Sequence, residues 1–474
     1  MATARVVRAL ALLTLGSTIA AEGARAQESH PVEESPPPAP DGPPQRDLET
    51  LVALAEAHYP ALEARAAALR AAEAQRLEAR LSPFFAGWRA DVSLTIAPEA
   101  RGTPIFTDDD QLPLGNRWRP VYAAMAEGVV PLWTFGRLGA ARDAADAGVR
   151  AAELRLRQQR AQLRYDVRQA YFGLQLALDV AQMIDEGQGQ LRRAIARLDE
   201  LLAEDDPAAS PFDRYRLAAA AAEVEARGSE AERLERASLA ALRALTGLDA
   251  IAAPLCPMEP LELTAAELPA FLAEAGEHRP EVGLLEAAER ARQAGVEAAL
   301  GDLTPDLALA FRAGLTRAPG ITDIENPFIQ DAGNRPVLAA ALVARWSLDV
   351  PGRTARLRRA RAQLDEARAS IEEATLGLRL EVELAHGAYE DAQRREAAWK
   401  EARRQTRRWF IASAQGYDVG ATEPKDLVDA LRAYFTARFS HVAAVREVNT
   451  AVAALARAVG RPLVSEGGWE PPCE

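Results

Sequence analysis

Two hydrophobic periods divide the chain. From Val167 the apolar positions step by three and four through Ala170, Leu174, Ala177, Ala181 and Ile184, then Leu191, Ile195, Leu198 and Leu202, with only Gln188 out of step. The stepping returns at Leu357, Ala360, Leu364, Ala367, Ile371, Ala374 and Leu378, where a four-residue stutter moves the seam to Val382, Ala385, Tyr389 and Ala392. A sustained 3-4 alternation makes a coiled-coil seam, and a stutter unwinds it locally. Residues 137–202 contain no proline, which predicts a helix of roughly 100 Å at a rise of 1.5 Å per residue. A shorter helix is predicted over 48–82, stopped by Pro83.

Elsewhere the period is two. Trp88, Ala90, Val92, Leu94 and Ile96 alternate with Arg89, Asp91, Ser93 and Thr95, and Leu307, Leu309, Phe311, Ala313 and Leu315 alternate with Ala308, Ala310, Arg312, Gly314 and Thr316. Such alternation predicts strands with one apolar face. Partner strands are expected at 121–133 and 337–348, joined through polar loops at 99–119 and 317–335, the first containing Asp108, Asp109 and Asp110. Each run approaches the about 9–11 residues that a tilted strand needs to cross a bilayer. A half-buried sheet in a soluble domain would read similarly. If the strands span a membrane, four per chain cannot close a barrel, since the smallest need about eight. An open edge has no partner in lipid, so at least a dimer is required.

The helices and strands occur twice. The segment HYPALEARAAALRAAEAQ beginning at His58 resembles HRPEVGLLEAAERARQAG beginning at His278, PVYAAM at Pro120 matches PVLAAA at Pro336, Gly136-Arg137 matches Gly352-Arg353, and Ala170-Tyr171 matches Ala388-Tyr389. An ordered series at one period of about 215 residues reads as duplication. The expected organisation is a first repeat over 47–248 (a helix, a hairpin and two helices), a linker over 249–269, a second repeat over 270–462 and a tail over 463–474.

Composition narrows the function. At 49% hydrophobic and 26% charged residues the chain has enough apolar material for a large core. A net charge of −13 argues against a nucleic-acid partner held by phosphate contacts. The five histidines are scattered, Cys256 and Cys473 are far apart, methionine numbers only four, and no Cys-x-x-Cys, His-x-x-x-His, Gly-x-Ser-x-Gly or phosphate loop occurs. No nucleophile–base pair, metal site or cofactor is therefore expected, and no enzymatic activity. Arg5 and Arg8, the apolar run 9–21 and the small-x-small step Ala24-Arg25-Ala26 predict a cleavable secretory signal over 1–26, followed by a proline-rich linker over 27–46. A retained amphipathic helix is the alternative. The helices alone also fit a periplasmic coiled-coil protein without a channel.

Over residues 47–462 the chain resembles the TolC-like outer-membrane efflux proteins. The resemblance rests on the duplicated plan, VPLWTFGR at 130–137 with its partner SLDVPGR at 347–353, and above all GYDVGATEPKDLVDA at 416–430. It implies a mainly α protein with a β-barrel part: a homotrimer whose twelve strands form one outer-membrane barrel on a long helical tunnel. It implies a passive exit duct fed by an inner-membrane pump and a periplasmic adaptor. It also implies a periplasmic gate at Tyr417, Asp426 and Asp429, and an adaptor-contact tip at Glu204, Asp205, Asp206, Gly416 and Gly420. In the first repeat the corresponding turn, 204–211, departs from the family: it lacks the usual glycine and is acidic and proline-rich. The linker and tail are expected around the helices' midpoint, where Cys256 and Cys473 could form a disulfide. Trp88, Val92, Leu94, Ile96, Leu307, Leu309 and Phe311 are expected to face outer-membrane lipid, with Arg89, Asp91 and Arg312 turned to the lumen.

Overall fold

Two pre-proline steps break the first helices of each half. A residue before proline is pushed out of the α region, and Tyr59 (φ −71°, ψ 118°) and Arg279 (φ −70°, ψ 124°) are extended accordingly. The first half therefore opens with α1 (Leu48–His58) and α2 (Pro60–Phe85), where one helix over 48–82 was expected. Pro83 does not end α2. It falls in the last turn, where Ala86 N still donates to Ser82 O at 2.7 Å. Next come β1 (Arg89–Ala100), β2 (Leu114–Trp133), α3 (Arg137–Ala203) and α4 (Pro211–Thr246). The second half repeats the order with α5 (Leu268–His278), α6 (Pro280–Gly301), β3 (Asp306–Arg317), β4 (Pro336–Arg345), α7 (Val350–Asp418) and α8 (Pro424–Val459).

This structure, a computed structural model, describes residues 45–100, 114–204, 210–253, 257–263, 267–321, 331, 333–419, 421–464 and 468–469. The expected signal, nearly all of the proline-rich linker, Asp108–Asp110, Asp205, Asp206, Gly420, Cys256 and Cys473 lie outside the described residues.

The 3-4 series coincides with the buried stripe of the long helices. Val167, Leu174, Ala177, Leu191 and Leu198 are buried on α3, and Leu357, Leu364, Val382, Tyr389 and Ala392 on α7. Near its midpoint α3 is enclosed on more than one face. There Leu163, Val167, Tyr171 and Leu174 pack with Leu48 and Leu51 of α1, Val448 and Val452 of α8, Ile251 and Leu261 of the linker, and Trp469. Asn449, 2% exposed, ties the linker to α8: its Oδ1 accepts from Leu261 N at 2.8 Å and its Nδ2 donates to Glu259 O at 2.9 Å. Arg168 lies 3.8 Å above the Trp469 ring.

Helices α4 and α8 end alike, on left-handed Gly247 (φ 73°) and Gly460 (φ 86°). Gly460 abuts the α5–α6 break so closely that an added Cβ would lie 2.7 Å from Arg279 Cα.

The four strands form one antiparallel sheet in the order β1-β2-β3-β4. Both β1 and β2 run further into the segment expected as loop, pairing Ala97 with Arg119 and Pro98 with Trp118 before a register shift. Backbone pairing needs no apolar side chain, so polar residues extend a hairpin that hydrophobic alternation alone leaves short. Arg137, first residue of α3, fastens sheet to helices through Asp302 at 3.2 Å and Asp306 at 2.5 Å.

Candidate functional site

Cross-strand partners share a face, so the register assigns each face of the sheet. Val92 pairs with Ala124 and Leu94 with Tyr122; Gly128 pairs with Phe311 and Val130 with Leu309; Leu309 pairs with Leu342 and Ala313 with Leu338. Val92, Leu94, Ile96, Leu307, Leu309 and Phe311 thus lie on one apolar face that continues across all four strands. Trp88 precedes β1, and its ring covers Gly128 and stacks on Phe311 with centroids 6.0 Å apart. Among these, Val92 is 86% exposed in the single chain and Leu338 89%. Leu307 and Leu309 are half-buried. The opposite face carries Arg89, Asp91, Glu127 and Arg312. There Glu127 pairs across the strands with both Arg89 and Arg312, the latter as an ion pair of 3.2 Å.

Aromatic side chains mark two levels of the apolar face. Near the helices are Trp88, Trp133 and Trp346, with Phe135 edge-on to Trp133 at 6.1 Å. The Trp88 and Trp346 indoles donate to the Phe84 and Leu303 carbonyls at 3.1 and 3.2 Å. At the other end is Trp118, opposite Pro98. Ten residues separate Trp88 from Pro98, about 33 Å along a strand. Tilted at 35–45°, that spans about 25 Å, the height of the apolar band of an outer-membrane barrel.

Far from the sheet, the α3–α4 and α7–α8 turns sit at one end of the helices. Leu198 of α3, Leu217 of α4, Val428 and Leu431 of α8, and Phe410 of α7 share one apolar cluster there. Gly416 O accepts from Ala421 N and Thr422 N at 2.7 and 3.2 Å, and a Cβ on Gly416 would lie 2.1 Å from Thr422 Oγ1, so a larger residue there would displace the Thr422 side chain. Tyr417 is in the last turn of α7 and half-buried. Asp426 is in the first turn of α8 and Asp429 in the next, both exposed beside buried Leu427, Val428, Ala430 and Leu431. Glu204 caps α3 and is exposed.

Sequence reasoning missed the first repeat's counterpart of Asp426. Asp213 follows Pro211 by two residues, as Asp426 follows Pro424. Unlike Asp426 it is only 8% exposed and pairs with Arg216 at 3.0 Å. Phe212 and Tyr215 beside it are largely exposed. The Pro-x-Asp spacing shared by the two turns was the available signal. Arg214 clasps the neighbouring helix through Asp199 at 2.8 Å.

Midway between turns and sheet lies a group of titrating residues. Burial pushes the Asp179 carboxyl up to about 6, although Met258 N, Arg438 and Arg403 oppose it. Burial lowers His441, whose Nε2 meets Glu396 at 3.0 Å and whose Nδ1 meets Arg403 at 3.3 Å. Among the described residues no group of three or more His, Cys, Asp or Glu side chains could hold a metal ion. No described helix is long and apolar enough to cross a membrane.

A sheet with one exposed apolar face is thus joined to helices of 67 and 69 residues. Residues 271–461, within the second repeat, match the family model described as outer membrane efflux protein. The same fold covers both repeats in three solved channels. The outer-membrane channel OprN is 23% identical, with 90% of this chain and 91% of that one covered at a TM-score of 0.71. VceC of Vibrio cholerae is 19% identical, with 88% and 96% covered at 0.70. The open-state MtrE channel of Neisseria gonorrhoeae is 19% identical, with 88% and 89% covered at 0.69. No curated protein matches the chain. The fold expected from the resemblance is the fold of these channels, and the second repeat carries the efflux-family match.

Proposed function

We propose that three copies of this chain close their sheets into one twelve-stranded barrel and act as the passive outer-membrane duct of a tripartite export system, with no catalytic step of their own. The observation that carries the reading is the apolar face bounded by aromatic levels about 25 Å apart, on a sheet whose β1 and β4 edges have no strand partner among the described residues. In water that face would stay exposed; in lipid the edges must find partners in other copies. Polar Arg89, Asp91, Glu127 and Arg312 then line the lumen. A periplasmic adaptor and an inner-membrane pump would meet the turn end, where Glu204, Phe212, Tyr215 and Gly416 offer an acidic and aromatic surface. Tyr417, Asp426 and Asp429 would form the constriction, giving six carboxylates in two stacked rings, which concentrate cations as acidic rings do in other channels. The test is detergent extraction followed by covalent cross-linking and planar-bilayer recording. Detergent-dependent solubility, a trimeric cross-linked species and discrete conductance steps are expected; a detergent-free soluble monomer without conductance would refute the reading.

A further inference from the structure

The second repeat replaces a tyrosine with an arginine at its helix break. His58-Tyr59-Pro60 corresponds to His278-Arg279-Pro280. Tyr59 packs against the mid-helix core, whereas the Arg279 side chain is 6% exposed and lines a cavity of about 510 Å³ between α2, α3, α6, α7 and α8. Its Nε donates to Glu281 at 3.1 Å and its Nη2 bonds Glu381. Its Nη1 is buried without a partner, as is Nε of Arg457. The other donors of Arg457 are used, on Gln162 at 2.7 Å and Glu381 at 2.9 Å. Two further arginines, Arg65 and Arg155, line the same cavity from α2 and α3, both exposed.

We propose that this cavity is a binding site for a small free oxyanion of the phosphate class. Four arginines face two carboxylates across the cavity wall, an excess of positive charge that a doubly charged anion would balance. Asp166, just outside it, takes a bond from Gln162 at 2.7 Å and faces Arg457. An oxyanion supplies acceptors to several guanidinium groups at once, in the geometry arginine favours. A lipid headgroup does not reach the site: Gln158, on the cavity wall, lies 21 residues into α3 from the strand end, about 30 Å along the helix. The bland alternative is that Arg279 only staples α6 to α7 through its two glutamates. That account leaves Arg65 and Arg155, on the cavity wall, unused.

The experiment is calorimetric titration of the purified full-length protein in detergent with inorganic phosphate, against chloride at matched ionic strength. One saturable site per chain is expected. Arg65→Gln with Arg155→Gln changes exposed residues that make no ion pair among those described, and should weaken phosphate at least tenfold with the unfolding temperature of the phosphate-free protein unchanged. Arg279→Met should abolish the site, and the exposed pair keeps the test valid if that variant fails to fold. No saturable binding would overturn the proposal, as it would if a neighbouring copy's acidic side chain filled the cavity. Binding that survives the Arg65/Arg155 change at wild-type strength would equally overturn it.

Discussion

Burial alters the chemistry of Asp179. Its ordinary value of 3.8 rises to about 6 in the folded chain because burial disfavours the ionised form. The folded state therefore holds a proton that the unfolded chain has released between pH 4 and 6, and stability from this group falls as pH rises through that window. The penalty is complete above pH 6. Asp179→Asn should flatten this slope and raise stability at pH 8 by about 1–2 kcal/mol, discounted because the carboxylate keeps some solvent contact. Unfolding midpoints across pH 4–8 measure it. His441 runs oppositely: its lowered value costs stability as pH falls through the imidazole range. Backbone geometry offers a second contrast. Gly136 (φ 88°) and Gly460 (φ 86°) are both left-handed, but a Cβ on Gly136 meets nothing within 4 Å whereas one on Gly460 strikes Arg279. Gly136→Ala should cost about 1–2 kcal/mol from backbone strain alone. Gly460→Ala should cost more, through added overlap, and thermal unfolding in detergent would rank the two.

Among the elements, the sheet shows how much alternation conveys. Trp88, Val92, Leu94 and Ile96 read as one face because period two is a local property of a strand. That β2 carries Tyr122, Ala124 and Val130 on the same face could not be read as readily, since many Ala weaken its pattern. Leu94→Arg should destabilise the inserted barrel by about 2–4 kcal/mol near the midplane, while Arg312→Gln on the other face should be tolerated. Single cysteines at Leu94 and Arg89 give an independent reading: a lipid-phase reagent should modify position 94 and a water-soluble one position 89, and the reverse pattern would shift the lipid face to the other side.

For the whole molecule, the constriction proposed at the turn end would set what passes. The acidic Asp426 and Asp429 are exposed, while their first-repeat counterpart Asp213 is buried against Arg216. Of these two Pro-x-Asp positions, only the one on α8 is exposed. Asp426→Asn with Asp429→Asn should reduce cation preference in single-channel recordings and relieve block by multivalent cations. Unchanged selectivity and block would move the constriction to the acidic turn beginning at Glu204. A helix-dipole role for Asp426, in the first turn after Pro424, would instead appear as a loss of about 0.3–1 kcal/mol in stability with no change in selectivity.

Local patterns carried the helices, the two strand faces, the duplication and the family resemblance, because hydrophobic period, proline position and short motifs are properties of neighbouring residues. Pairing distant segments was another matter. The extension of β1 and β2 past their apolar stretch depends on backbone bonds between strands, which leave no hydrophobic trace. The breaks at Tyr59 and Arg279 were present as two X-Pro steps, yet helical periodicity on both sides hid them. Asp213 looked like an ordinary surface acid until α4 packed on α3 and buried it. The arginine-lined cavity draws on residues from position 65 to position 457. Only folding brings those charges together, since nothing in their spacing along the chain links them.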